Sequence, residues 1–177
     1  MQFDQGQTVI HPQHGPAVVT GTMSRTIKGN VIDYIELTVC ETGLAVSIPL
    51  SKCDDVGIRA VAGSSMLAEI VGVLTAPTGA IETQWARRYK AQRMEAATGD
   101  PLRIAAVVRD LIRRREERGM SLAERDLLRE ASAPLLAEIA LATDASEEKA
   151  KLVLFKLVME GDAEVLAHVD DLEVTAA

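Results

Sequence analysis

Residues 31–39 read Val-Ile-Asp-Tyr-Ile-Glu-Leu-Thr-Val, and this stretch decides the fold of the first third of the chain. In an extended chain its odd-numbered residues fall on one side, which is mostly apolar, and its even-numbered residues fall on the other, which is mixed. This period of two, with its many β-branched residues, predicts a β-strand. Glycine-containing turns at 27–30 and 41–43 predict that the neighbouring strands pair with it as hairpins.

The rest of the first 60 residues repeats this pattern on a smaller scale. Short β-branched runs lie between its glycines, at residues 8–10, 17–20 and 44–48. Together they predict a small antiparallel β-barrel-like domain over residues 1–60. Near residues 60–64 the apolar period changes to about 3.6 and glycine becomes rarer, which predicts an all-α domain over residues 64–160. The expected fold class is therefore α+β, with an acidic C-terminal extension over residues 161–177.

Capping residues mark where two of the helices begin. Asp100 before Pro101 combines an N-cap with a proline at the first helical position. Ser121, with Glu124 three residues later, forms a capping box. Pro134 lies inside the helix that this box would start, and we expect it to kink or interrupt that helix.

Charge is unevenly distributed along the chain. The formal net charge is −7, which taken alone argues against a nucleic-acid partner. Residues 85–129, however, hold eleven arginines and one lysine against seven acids, a net of +5, whereas residues 130–177 hold three lysines against eleven acids, a net of −8. A basic block beside an acidic one is the kind of asymmetry that serves a polyanionic partner while keeping the protein in solution.

The sequence lacks the residue patterns of an enzyme or a metal site. It contains no catalytic arrangement and no phosphate-binding glycine loop. His11 and His14 lie close together, but no third ligand stands at a suitable spacing, and Cys40 and Cys53 are expected to be reduced packing residues. No stretch reaches the roughly 18 apolar residues of a membrane span. We therefore expect a cytoplasmic, non-catalytic protein that binds no metal or cofactor.

Residues 83–90 read Thr-Gln-Trp-Ala-Arg-Arg-Tyr-Lys and hold the single tryptophan of the chain. With Thr83 as the cap, Trp85 lies in the first turn of a helix and three cations follow it. One interpretation is structural: Trp85 and Tyr89 form a core stripe, and the cations form a solvated face. In the other, a half-exposed Trp85 wedges into a DNA minor groove while the cations hold phosphates. The residues alone leave both open.

Two longer patterns carry a family resemblance. The first consists of Phe3, Gly6, Val9, Pro12, His14-Gly15, residues 25–29, Pro49 and residues 56–59. It resembles the RNA-polymerase-interacting domain shared by CarD/CdnL regulators and the transcription-repair coupling factor. The second consists of Trp85-x-Arg87-Arg88-Tyr89-Lys90-Ala91, residues 99–100, 107–111, Arg113-Arg114, 117–119 and Ser121-x-x-Glu124. In order and spacing it resembles the C-terminal domain of CarD regulators, so the resemblance covers about residues 1–160.

The resemblance implies a Tudor-like β-domain that docks on the β subunit of RNA polymerase, and a helical domain that binds promoter DNA. Trp85 would wedge the minor groove at the upstream edge of the transcription bubble, where this family stabilises the open promoter complex. The resemblance assigns contacts with the DNA backbone to Arg87, Arg88, Lys90 and Arg125. It assigns the polymerase-facing surface to Arg25, Ile27, Lys28 and Ser47. We expect the protein to act as a monomer.

Two departures from the family pattern keep a second hypothesis open. Ser47 stands where many relatives carry an arginine that also faces polymerase, which removes a charged contact. The acidic extension beyond Met159 is longer than the family leads us to expect. The alternative is a non-catalytic polymerase-interaction module, or a divergent paralogue, with little grip on DNA. Trp85, Arg87 and Lys90 favour the DNA-binding regulator.

Overall fold

The computed structural model describes residues 3–80 and 82–173, and the chain forms two units. Five β-strands, one 3₁₀ turn (Leu50–Lys52) and one short helix make up the first unit, residues 1–61. The elements are β1 (Thr8–His11), β2 (Gly15–Ile27), β3 (Asn30–Val39), β4 (Ala45–Pro49), α1 (Cys53–Val56) and β5 (Arg59–Ala60). The strands form one antiparallel sheet in the order β4-β3-β2-β1-β5. The sheet is open, because no pairing among the described residues joins its edge strands β4 and β5.

A hairpin of β2 and β3 forms the centre of this sheet. The strands pair as far as Ile27 opposite Asn30, and the turn between them consists of Lys28 and Gly29. Both turn residues have positive φ, 50° and 83°, as a tight two-residue hairpin requires, so the turn predicted at 27–30 is confirmed. The core packs against one side of the sheet and consists of Val9, Ala17, Val19, Ile35, Leu37, Val39, Ile48, Cys53 and Ile58.

The second unit, residues 62–177, is built from helices throughout its described part. They are α2 (Ser64–Thr75), α3 (Trp85–Ala96), α4 (Pro101–Arg118), α5 (Leu122–Thr143) and α6 (Glu147–Met159), followed by 3₁₀ turns at Ala163–Ala167 and Val169–Asp171. Their shared core includes Ile70, Leu74, Ile104, Val108, Leu135, Ile139, Val153 and Leu157. A helical unit after an antiparallel sheet confirms the predicted α+β class.

The predicted caps of α4 and α5 are confirmed. Asp100 accepts hydrogen bonds from the backbone N–H groups of the first turn of α4, with Leu102 N at 2.9 Å. Ser121 and Glu124 form a complete capping box at the start of α5. Pro134, by contrast, does not interrupt α5, which continues for 22 residues. The ring is buried, so its packing against the core offsets the roughly 3 kcal/mol that a proline costs inside a helix.

The segment predicted as an acidic extension, residues 161–177, is part of the helical unit over its described residues. Its two 3₁₀ turns place Val165 and Val169, each 4% exposed, in the core of that unit. Over residues 161–173, the described part of this segment, the structure therefore shows no separation from the helical domain. Two valines four residues apart are enough to anchor a segment that is otherwise acidic, because the acids around them stay on the surface.

We expect Val169→Ala to lower the free energy of unfolding of the helical unit by about 2 kcal/mol, since it removes two buried methyl groups. Urea unfolding followed by circular dichroism at a helical wavelength measures the change. Leu141→Ala is the matched control, because it removes more atoms from a side chain that is 52% exposed, and it should cost less than about 0.5 kcal/mol. Equal effects of the two substitutions would contradict the anchoring role of Val169.

Candidate nucleic-acid interface

Helix α3 presents the single tryptophan at its first residue. Gln84 occupies the N-cap position with extended backbone and no side-chain hydrogen bond, so the prediction of Thr83 as the cap was wrong. Trp85 is 46% exposed, and its ring is stacked on that of Tyr89, with centroids 5.5 Å apart and planes 4° from parallel. A large, half-exposed aromatic ring with one face against a second ring is a rigid wedge.

Tyr89 anchors this wedge to the helical unit. It is partly buried and packs against a small apolar cluster formed by Val107, Leu111 and Leu127 of α4 and α5. Of the two interpretations of this pair, the core stripe therefore applies to Tyr89 and not to Trp85. The stacking makes Trp85 an outward extension of a buried cluster, which limits the side-chain motion that binding would have to suppress.

Two cations of α3, Arg87 and Lys90, lie on the surface of the same helix. Both side chains are exposed, and neither makes a hydrogen bond or an ion pair with any described residue. Arg93, one turn further along the helix, is also exposed. Cations without an intramolecular partner are free to contact an external anion at little cost.

Arg88 is buried, which corrects the prediction that it contacts the DNA backbone. Its side chain is 6% exposed, and its Nη2 lies 3.1 Å from Oε1 of Glu124. Its Nη1 donates to the backbone carbonyl oxygens of Glu82 at 3.1 Å and Thr83 at 3.4 Å. The guanidinium therefore fixes the chain that enters α3 onto the first turn of α5, and it has little exposed surface to offer a phosphate.

Glu124 is the partner on which these contacts converge. Its Oε2 accepts hydrogen bonds from the backbone N–H of Ser121 at 3.0 Å and from the Ser121 hydroxyl at 2.8 Å. Its Oε1 receives Arg88 and lies 3.3 Å from Nε of Arg114 on α4. One carboxylate, 1% exposed, thus links α3, α4 and α5.

The pKa of Glu124 reflects this environment. Burial is the largest single influence and would raise the pKa, but the Ser121 backbone N–H and hydroxyl, the Arg88 hydrogen bond and the charge of Arg114 together lower it to about 2. The carboxylate is therefore ionised throughout the physiological pH range. The capping box was predictable from sequence, whereas the two arginine partners were not.

Other arginines of residues 85–129 also form hydrogen bonds inside the helical unit. Arg113 donates to the backbone oxygens of Val158 at 2.9 Å and Ala76 at 2.8 Å, joining α4 to the ends of α6 and α2. Arg109 is 8% exposed and donates to Val73 O at 3.0 Å. Much of the charge of residues 85–129 thus satisfies buried carbonyl groups, and the field available to a polyanion is smaller than the net charge of the block indicates.

Arg125 is exposed on α5, directly after the buried Glu124. Successive residues of a helix point about 100° apart, so the two side chains diverge. Arg125 lines a cavity bounded by α4, α5 and α6. The structure thus places Trp85, Arg87 and Lys90 on α3, with the two cations about 140° to 160° around the helix from Trp85, and it places Arg125 on another helix.

Three of the residues predicted to face polymerase lie at the end of the β2–β3 hairpin. Arg25 and Ile27 are exposed at the end of β2, and Lys28 occupies the turn. The Arg25 guanidinium lies over the ring of Tyr34 on β3, 5.4 Å from its centroid, which holds the charge against the sheet. Ile27 is 43% exposed, so the hairpin end combines an apolar side chain with two cations.

Ser47 shares a sheet face with Arg25 but lies away from the hairpin end. It is exposed on β4 and pairs with Glu36 of β3, just as Arg25 pairs with Ile32. Cross-strand partners point to the same side, so all four residues lie on the face opposite the core. Glu36 follows Asn30 by six residues, so its partner Ser47 lies about 20 Å along the strands from the hairpin end.

The histidine pair belongs to the turn between β1 and β2. The two rings lie 4.5 Å apart, and His11 is buried, with its Nδ1 accepting the Gln13 backbone N–H at 3.1 Å. Burial, and then the nearby His14, lowers the pKa of His11. In the described part of the chain no group of three or more metal-ligating side chains occurs. Nor is any helix there long and apolar enough to cross a membrane.

We expect Glu124→Gln to destabilise the helical unit in a pH-dependent way. The folded pKa of about 2 lies below the ordinary value of 4.5, so the ionised carboxylate stabilises the fold above about pH 4.5 and this contribution is lost as the pH falls toward 2. At about 1.4 kcal/mol per pKa unit, the contribution at pH 7 is about 3 kcal/mol. The loss caused by E124Q should therefore be about that large at pH 7.

Urea unfolding of both proteins between pH 7 and pH 3 checks this prediction, and the difference between them should shrink as the solution becomes acidic. Glu160→Gln is the control, because its exposed pair with Lys156 should contribute less than about 1 kcal/mol at any pH. A difference for E124Q that does not change with pH would show that the shape of the side chain matters and its charge does not.

Comparison with known proteins divides the chain near the same place as the structure, between the β unit and the helical unit. Residues 3–62 match the family model described as the CarD-like/TRCF RID domain, and residues 69–155 match the model described as the CarD C-terminal domain. The protein named "Putative transcription factor YdeB" from Bacillus subtilis (strain 168) is 25% identical over 149 residues, which cover 84% of this chain and 97% of that protein. Because both sections match in family order, the chain belongs to the CarD/CdnL family of transcription factors that interact with RNA polymerase.

Proposed function

We propose that this protein is a cytoplasmic, non-catalytic regulator that binds the β subunit of RNA polymerase through its β unit and upstream promoter DNA through α3. It acts as a monomer, and Trp85 wedges the minor groove at the edge of the transcription bubble and stabilises the open complex. The observation that carries the proposal is the exposed Trp85, stacked on an anchored Tyr89 at the start of a helix that also bears the unpaired side chains of Arg87 and Lys90.

The wedge is suited to distorted DNA because of its shape and its surroundings. An apolar ring that enters the minor groove partly unstacks a base step, which costs a few kcal/mol in intact duplex and less where the stack is already broken. The edge of a transcription bubble is such a place. Arg87 and Lys90, within five residues of Trp85, would hold phosphates on either side and set the register of the ring.

This preference alone is sufficient to regulate transcription. A protein that binds the open complex more tightly than the closed one shifts the equilibrium between them by its difference in affinity, without any chemical step. A tenfold preference corresponds to about 1.4 kcal/mol. The lifetime of the open complex lengthens because the wedge has to leave before the DNA closes.

The polymerase-binding unit compensates for a weak grip on DNA. Only a few cations remain for phosphates once Arg88 and Arg113 are used internally, so free DNA should be bound weakly, with a salt dependence that corresponds to the few phosphates they neutralise. Attachment of the same chain to polymerase makes the DNA contact effectively intramolecular, at millimolar local concentration for a short connection. The β unit thus supplies most of the affinity, through polymerase, and the helical unit supplies the contact that acts on the DNA.

We expect the unsubstituted protein to lengthen the lifetime of open complexes on a ribosomal-RNA-type promoter with cognate polymerase, and Trp85→Ala to lose most of this effect. Filter binding or fluorescence after competitor challenge measures the lifetime. Met94→Ala is the matched control, because Met94 is an apolar side chain on the same helix, 63% exposed, and lies outside the proposed contact. Its effect on lifetime should be small.

The alternative function makes a different prediction in the same assay. If polymerase still captures the protein but neither the unsubstituted form nor W85A changes the lifetime, the chain is a polymerase-interaction module without a grip on DNA. If both forms lengthen the lifetime equally, DNA contact through Trp85 is wrong and the polymerase contact alone is responsible.

We expect Ser47→Arg to raise the affinity for the polymerase β subunit several-fold, with the gain shrinking at high salt. The substitution restores the cation that many relatives carry, on the sheet face that also holds Arg25. Biolayer interferometry with the isolated β-subunit fragment measures the change. Ser51→Arg adds the same charge at another exposed serine of the same unit and should have little effect. Equal gains from both variants would indicate nonspecific attraction and would exclude this face as the binding surface.

A further inference from the structure

A cavity of about 430 Å³ opens between α4, α5 and α6 of the helical unit. Its volume lies within the range of about 300 to 1,000 Å³ that is common for small-molecule sites. The wall is largely apolar and is formed by Ile112, Met120, Leu128, Leu136, Leu154 and Phe155. Ile112, Leu136 and Leu154 are buried, so they form the floor of the cavity, and the partly buried Phe155 and Met120 stand higher in the wall.

Cations make up most of the remaining lining of this cavity. The four cations are Arg115, Arg125, Arg129 and Lys151, and none of the described residues that line it is acidic. The whole chain, by contrast, carries a formal charge of −7, so a wall with four cations and no acid is unusual within this molecule. Charge of one sign above an apolar floor favours a ligand that has an anionic head and an apolar body.

The existing ion pairs of these cations are weak enough to be exchanged. Arg115 contacts Glu116, Arg129 contacts Asp126 and Lys151 contacts Glu147, and the side chains of all three pairs are between 39% and 74% exposed. Pairs of this kind contribute about 0 to 1 kcal/mol each. The side chain of Arg125 makes no ion pair or hydrogen bond with any described residue, so its guanidinium is free to receive a carboxylate.

We propose that this cavity binds a small amphipathic carboxylate, of the class of medium-chain fatty acids. The alkyl chain lies on the floor formed by Ile112, Leu136 and Leu154, where each buried methylene contributes about 0.8 kcal/mol. The carboxylate lies at the rim, where Arg125 and Lys151 supply charge-assisted hydrogen bonds. The proposal does not depend on DNA or polymerase binding.

The dimensions and chemistry of the cavity favour this ligand over two others. A nucleic-acid backbone has charge but nothing to place on an apolar floor. An acidic amphipathic helix of another protein requires a groove that receives several side chains spaced three and four residues apart, which is a larger surface than this single cavity provides. A single chain with one anionic head uses both the floor and the rim.

The test titrates the full-length protein with decanoate below its micellar concentration, using calorimetry and heteronuclear NMR. We expect saturable one-site binding, with shifts centred on α5 and α6. Decanamide, which has the same chain and no charge, should bind about tenfold more weakly, and acetate, which has the charge and no chain, should not bind detectably.

Two double variants separate the cavity from general charge. The double variant Arg125→Gln with Lys151→Gln removes two rim cations and should weaken the binding of decanoate about tenfold. Arg93→Gln with Arg103→Gln removes two exposed cations outside the cavity and should leave the affinity unchanged. All four side chains are exposed, so circular dichroism should show intact folds.

Three outcomes would overturn the proposal. The first is the absence of saturable decanoate binding. The second is equal binding of decanoate and decanamide, or equal weakening by the two double variants, since the rim cations would then play no specific part. The third is tight binding of a glutamate-rich amphipathic helical peptide by a protein that ignores decanoate, which would make the cavity a protein-docking groove.

Discussion

The buried carboxylate of Glu124 is the interaction on which the arrangement of the helical unit depends. It closes the capping box of α5, receives Arg88 from α3 and lies beside Arg114 of α4. A buried charge is tolerated only when its partners are in place, and removing one partner from such a site typically costs about 3 to 5 kcal/mol. The three helices are therefore held to one relative placement more strictly than apolar packing alone would require.

This placement determines which side chains of α3 are exposed to solvent. Because Arg88 turns inward to Glu124 and the carbonyl oxygens of Glu82 and Thr83, the first turn of α3 is fixed on α5. Tyr89 packs against the cluster between α4 and α5, and Trp85 remains outside as the only large aromatic ring of that turn. The ion pair and the anchored tyrosine together hold the Trp85 ring on the surface.

Local patterns in the sequence were sufficient for the hairpins, the caps of α4 and α5 and the α+β class, because each depends on residues within four positions of one another. They were insufficient for Arg88, since Arg87 and Arg88 look alike and only Glu124, 36 residues away, decides which of them turns inward. The buried Glu138, which accepts the Ala62 backbone N–H at 2.9 Å across 76 residues, was missed for the same reason. Val165 and Val169 were overlooked because the acidic residues around them dominate the composition of that segment.

Arg125 lies where two of the inferred activities meet. It is assigned to the DNA backbone by the family resemblance, and it lines the cationic rim of the cavity between α4, α5 and α6. A phosphate and a ligand carboxylate at one guanidinium would repel each other, so the two contacts would compete at this residue. Linkage then requires that an occupied cavity lower the affinity for DNA by the same factor by which DNA lowers the affinity for the ligand. Since the proposed phosphate contacts are few, the loss of one cation would remove a substantial fraction of the DNA-binding charge. A small anion in the proposed cavity would therefore adjust the proposed grip on DNA.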